Sequence, residues 1–145
     1  MSKQEEAGLI LKLYELRREE TMRKARDWYF REFNPQSLAD FQAALFSEHD
    51  GYCAWSSPIG TWPRRLSTTI NLDLFCDSNT EHIGVFAKIE PLLGEIREVF
   101  GAHFAASFEK LIDAMPDGRK RVAQARERMK AIRAQMAQKR QARTA

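Results

Sequence analysis

The stretch HIGVFAKIEPLLGEIREVF, residues 82–100, decides the fold. Its apolar residues recur at alternating spacings of three and four, which places them in one stripe along a helix. A helix that is apolar nearly all round must be covered by other elements, so this pattern predicts the central helix of an all-α bundle. Pro91 lies inside the stripe and predicts a kink. The stripe and the residues that widen it are Phe86, Ile89, Leu93, Ile96 and Phe100, with Val85, Leu92 and Val99.

Helical spacing of apolar residues continues on both sides of this central helix. We expect one long helix over residues 3–33, ended by Pro35, and a short helix that begins at Ser37. Two more helices are predicted over residues 102–115 and 119–143. The fold class is therefore all-α, an irregular helical bundle with a long N-terminal helix and a protruding basic C-terminal helix.

Local signals mark where these helices begin and end. Residues 78–80 supply a cap for the central helix, and Gly101 is predicted to close it. Pro116-Asp117-Gly118 predicts a turn in which proline sets the bend and glycine tolerates a positive φ. His82, at the start of the central helix, is expected to be a polar surface residue.

The net charge of +3 conceals a strong asymmetry. Residues 117–145 carry ten Lys or Arg side chains and two acids, a net charge of +8, which leaves −5 for residues 1–116. We therefore divide the chain into a helical bundle body, 1–116, and a basic C-terminal helix, 117–145, whose tail is expected to fray after Met136. Such an asymmetry is an argument about binding partners.

A narrow apolar seam runs along the basic helix for about two heptads. One small body cannot cover this seam and the long N-terminal helix together, so we expect a homo-oligomer or a helical protein partner. The function that this favours is a non-catalytic interaction or accessory protein that associates with itself through long amphipathic helices. The residues of the seam are Val122, Ala125, Met129, Ile132 and Met136.

The same helix offers an alternative function, which is sequence-nonspecific binding of nucleic acid through its basic face. No helix-turn-helix or RNP sequence accompanies the cations. Binding to a membrane surface is disfavoured because the tail lacks the Trp, Phe or Leu face that such helices insert. The candidate anion or nucleic-acid contacts are Arg119, Lys120, Arg121, Arg126, Arg128, Lys130 and Arg133.

Other classes of function lack a motif. No stretch approaches the ~20 apolar residues of a membrane span, and no signal peptide is evident, so we expect a cytoplasmic protein without disulfides. We predict no catalytic residue, no metal site and no cofactor; the acidic turn around His49 is read as a solvated loop. An enzyme would require a set of distant side chains to converge: His49, Trp55, Trp62, Arg64, Arg65 and His103.

Residues 52–69, YCAWSSPIGTWPRRLSTT, have no helical period, unlike their neighbours. Two interpretations stay open. In the first, they form a functional loop that is suited to stacking on a base or binding an anion through Trp55, Trp62, Arg64 and Arg65. Alternatively, residues 53–69 are a frameshift artefact that replaces a helix, because codons for this stretch exist whose shifted frame encodes an amphipathic helix.

Three segments resemble a group of small, uncharacterised, all-helical bacterial proteins. They are EEAGLILKLYELRREETMRKARDW at 5–28, VFAKIEPLLGEIREVFG at 85–101 and FEKLIDAMPDGRKRVA at 108–123. The resemblance implies a helical fold and transfers no activity or site residue. It also implies a helix in place of residues 53–69, where this sequence departs from the group.

Overall fold

A computed structural model of the chain describes residues 1–47 and 70–144. Every regular element in these two ranges is a helix, so the predicted all-α class is confirmed. Residues 53–69, to which the two interpretations apply, lie outside the described residues. The same holds for the candidate residues His49, Trp55, Trp62, Arg64 and Arg65. The helices are α1 (Lys3–Arg17), α2 (Glu20–Arg31), α3 (Leu38–Leu45), α4 (Leu72–Ser78), α5 (Glu81–Ile89), a 3-10 turn (Glu90–Leu92), α6 (Leu93–Phe100), α7 (Ala106–Ala114) and α8 (Gly118–Thr144).

The core forms around α5, as its apolar stripe predicts. Phe86 and Ile96 are completely buried, and α8 packs along the length of α5. The ring of Phe86 meets that of Phe108 from α7 at 5.2 Å between centroids. The end of the predicted stripe differs, because Val99 is 54% exposed and Phe100 is 45% exposed. The central helix is therefore covered at its start and open at its end.

The prediction of one helix over residues 3–33 is wrong. Helix α1 ends at Arg17, and Glu19 has an extended backbone with φ −57° and ψ 137°. Its carboxylate accepts hydrogen bonds from the backbone N–H groups of Thr21 and Met22 at 3.1 and 2.9 Å. Because this carboxylate satisfies the first N–H groups of α2, Glu19 is the N-cap of a new helix and not an interior residue of one long helix.

The helix ends follow the sequence signals in part. Pro91 lies in the 3-10 turn that separates α5 from α6, and Gly101 closes α6 with φ +102°, so both predictions are confirmed. In the turn at 116–118 the residue with positive φ is Asp117, at +52°, and not the glycine. Gly118 is needed for space, since a Cβ there would lie 1.8 Å from the carbonyl oxygen of Ile112.

Candidate functional site

The basic helix α8 has an anchored half and a projecting end. Its 27 residues span about 40 Å, at 1.5 Å per residue. Residues 118–129 include every buried position of the helix. Residues 130–144, which we call the projecting end, are exposed except for the half-buried Arg133. The tail that was expected to fray is helical to Thr144.

The predicted seam is divided between these two parts. Val122 is completely buried, Ala125 is buried, and Met129 packs partly against the core. The body of the same copy therefore covers the first part of the seam. Ile132 and Met136 remain 56% and 47% exposed. Only these two seam residues offer an apolar contact to a partner.

Arg119 binds carboxylates of the body. Its guanidinium group donates hydrogen bonds to the carboxylates of Asp113, Glu109 and Glu90 at 2.7, 3.1 and 3.0 Å. It also lies over the ring of Phe86, 5.6 Å from the centroid. These hydrogen bonds raise the pKa of Arg119 further above its usual range, with that to Asp113 contributing most. Arg119 therefore fastens α8 to α7 and to the 3-10 turn.

The other predicted cations fall into two groups. Arg126 donates to the Glu90 carboxylate at 2.6 Å and to the Ala87 carbonyl oxygen at 3.0 Å, while Lys130 makes an exposed pair with Glu127 at 3.2 Å. The remaining four have no carboxylate partner among residues 1–47 and 70–144. These four are Lys120, Arg121, Arg128 and Arg133.

The outer face of α6 is a second exposed surface, and it is acidic. Glu95 and Glu98 are exposed and have no ion pair within the described ranges. Val99 lies one turn after Glu95 on the same side of the helix, and Glu98 precedes it directly in the sequence. Two carboxylates thus border an exposed apolar side chain, a pattern complementary to that of the projecting end.

A cavity of about 240 Å³ lies where the chain turns from α2 to α3 and meets α5 and α8. Its described lining includes four cations and no carboxylate. Leu92 and Met129 provide apolar wall. The four cations are Lys88, Arg126, Lys130 and Arg133.

Lys88 is the buried lysine of this cavity, and it was not predicted from the sequence. Its Nζ donates to the carbonyl oxygens of Tyr29, Phe30 and Phe33, the last two at 3.3 and 2.6 Å. The carbonyls of Tyr29 and Phe30 lie in the last turn of α2 and that of Phe33 lies just after the helix, so no further helical turn satisfies them. Burial, and secondarily the charge of Arg133, lowers the pKa of Lys88 to about 7. A lysine within an otherwise apolar run, 85–89, was the signal that could have identified it.

His82 is buried, so the prediction of a polar surface residue is wrong. It is 1% exposed, and its ring lies 5.3 Å from that of Phe75 between centroids. Its Nε2 lies 3.1 Å from Met115 Sδ, and its Nδ1 has no hydrogen-bond partner among the residues that the structure describes. Burial, with smaller contributions from the charges of Arg121 and Arg17, lowers the pKa of His82 to about 4. The imidazole is therefore neutral near pH 7.

Of the two histidines in the enzyme hypothesis, His103 lies within the described residues and His49 does not. His103 is exposed, and no group of three metal-ligating side chains is found within 1–47 and 70–144. Cys76 is a buried free thiol whose pKa is raised by burial. No helix in the described part of the chain has the length and apolarity needed to cross a bilayer.

Comparison with known proteins yields one family match. Residues 4–61 match the domain of unknown function DUF4760. The match includes the first of the three segments on which the resemblance to uncharacterised proteins rests, 5–28, and ends before the other two. No curated protein and no solved structure matches the chain.

Proposed function

We propose that this protein is a non-catalytic interaction protein that associates with itself, and that the projecting end of α8 in one copy docks on the outer face of α6 in another. The observation that carries this proposal is the exposure of Ile132 and Met136 on a helix that extends beyond its own body. Because Ile132 and Met136 are only about half exposed, burying their remaining surface favours association by about 0.7–1.5 kcal/mol each. That amount is small against the cost of association, so charge must contribute.

Charge favours α6 over a second projecting end as the docking surface. Residues 130–144 carry five cations and no acid, so two projecting ends side by side would repel. Lys139 and Arg140 lie one turn beyond Met136, at the end of the exposed seam, and Glu95 and Glu98 lie within one turn before Val99 on α6. Added salt is expected to weaken docking of opposite charges, whereas it would strengthen pairing of like charges. The sign of the salt effect therefore distinguishes the two modes of self-association.

A charge-swap experiment tests the proposal with its own control. The variants E95K/E98K and K139E/R140E each place like charges on both surfaces, so each alone should be monomeric by light scattering. In a mixture, the substituted projecting end of K139E/R140E meets the substituted α6 of E95K/E98K, and the unchanged projecting end of E95K/E98K meets the unchanged α6 of K139E/R140E. Both contacts then join unlike charges, so the mixture should associate as the wild type does. If either variant alone associates as strongly as the wild type, or if the mixture stays monomeric, the proposed contact is wrong.

Binding of nucleic acid is a second candidate, supported by the acid-free run of five cations in the projecting end. The binding constant for a labelled oligonucleotide of mixed sequence should fall steeply with salt, and K139E/R140E should reduce the slope of that dependence by about 2. The variant E95K/E98K should keep full affinity, since it removes no cation. An affinity that neither variant changes would exclude this function for the projecting end.

A further inference from the structure

We propose that the cavity between the α2–α3 turn and α8 is a binding site for a small doubly charged anion of the phosphomonoester class. Its described lining contains Lys88, Arg126, Lys130 and Arg133 without a carboxylate. Its volume of about 240 Å³ suits a phosphate group with a small organic part. This is smaller than the ~300–1,000 Å³ usual for drug-sized ligands.

The charge of this lining is only partly compensated. Glu90 binds Arg126 at 2.6 Å and Glu127 binds Lys130 at 3.2 Å, both from outside the lining set. Arg133 has no carboxylate partner anywhere in the described ranges, although it is half-buried. A partly desolvated guanidinium group without a counter-charge is an incomplete ion pair, which an anion would complete.

Each cation has a distinct part in the site. The donors of the Lys88 side chain are matched by three backbone carbonyls, so Lys88 makes no direct hydrogen bond to an anion; a bound anion would instead favour its charged form. Arg126 is held by the Ala87 carbonyl and Glu90, which fixes its position on the wall. Arg133 remains as the residue with free donors, and its planar guanidinium group matches a phosphate in a bidentate contact.

The apolar part of the lining indicates that the ligand carries more than a bare phosphate. Pro91, Leu92 and Met129 form a wall beside the cations. An organic group on the phosphate would bury apolar surface there and gain affinity over inorganic phosphate. Comparing a free and an esterified phosphate therefore tests this wall separately from the cations.

Isothermal titration of the full chain with inorganic phosphate and with phenyl phosphate tests the proposal. We expect saturable binding of one equivalent, tighter for phenyl phosphate. The variant R133Q should weaken binding by about tenfold or more, because it removes a charge-assisted contact. The matched control is R143Q, which removes the same charge from an exposed position on the same helix, outside the cavity lining.

Circular dichroism spectra of both variants report whether α8 stays folded. If R133Q does not fold, K130Q replaces it and should weaken binding several-fold. No saturable binding of either phosphate would overturn the proposal. Equal weakening by R133Q and R143Q would also overturn it, because the anion would then be bound by the whole basic helix and not by the cavity.

Discussion

The close packing of Gly118, the first residue of α8, against the backbone of α7 predicts that Gly118→Ala is strongly destabilising. A Cβ at this position would lie 1.8 Å from the carbonyl oxygen of Ile112 and 2.9 Å from its carbonyl carbon. A carbon and a carbonyl oxygen normally approach to about 3.3 Å, so the start of α8 must move about 1.5 Å away from α7. The obstacle is backbone and has no rotamer to change. Overpacking of this kind costs about 1–3 kcal/mol, and we expect a value near the upper end.

Gly94→Ala is the matched control, because the same substitution meets no atom within 4 Å at this exposed helical position. It should stabilise the protein by about 0.5–1 kcal/mol through the lower entropy of the unfolded chain. Urea unfolding followed by far-UV circular dichroism gives both free energies of unfolding. If Gly118→Ala unfolds at the same urea concentration as the wild type, the described packing of α8 against α7 is incorrect.

Two further predictions concern the buried titratable side chains. The pKa of His82 is lowered from 6.5 to about 4 in the folded protein, so His82 is protonated at a higher pH in the unfolded chain than in the folded one. The free energy of unfolding should therefore fall by about 3 kcal/mol as the pH drops from 7 to 4. The variant His82→Leu should lose that part of the pH dependence in urea titrations; an unchanged slope would mean that the histidine is solvated. Lys88→Met should cost about 1–3 kcal/mol in the same assay, because the carbonyls of Tyr29 and Phe33 lose their donor. Lys110→Met, at an exposed position, should leave the free energy of unfolding nearly unchanged. Equal costs for the two lysine variants would contradict the inference that Lys88 stabilises the end of α2 through these carbonyls.

The sequence predicts the helical class well because periodicity reports burial directly. The stripe of Phe86 and Ile96 repeats with the helical period, and both residues are completely buried. The break at Glu19 was missed because a glutamate can pair within a helix or cap a new one, and local spacing does not decide between these. The choice depends on α2 turning to bury Trp28 and Tyr29.

The candidate site was only partly predictable for a related reason. Charge counting identified the basic helix, but it could not distinguish Arg119, which binds three carboxylates of the body, from Arg133, which binds none among the described residues. Partners distant in sequence decide the role of each cation. The burial of Lys88 is different, because its position in an apolar run already indicated it.

Sedimentation equilibrium of the wild-type chain at increasing protein concentration, in low and in high salt, tests the proposed self-association most directly. At low salt we predict a mass that rises above the monomer mass of 16.8 kDa with concentration, and that falls back towards it when salt is added. A mass of 16.8 kDa at every protein and salt concentration would contradict the proposal.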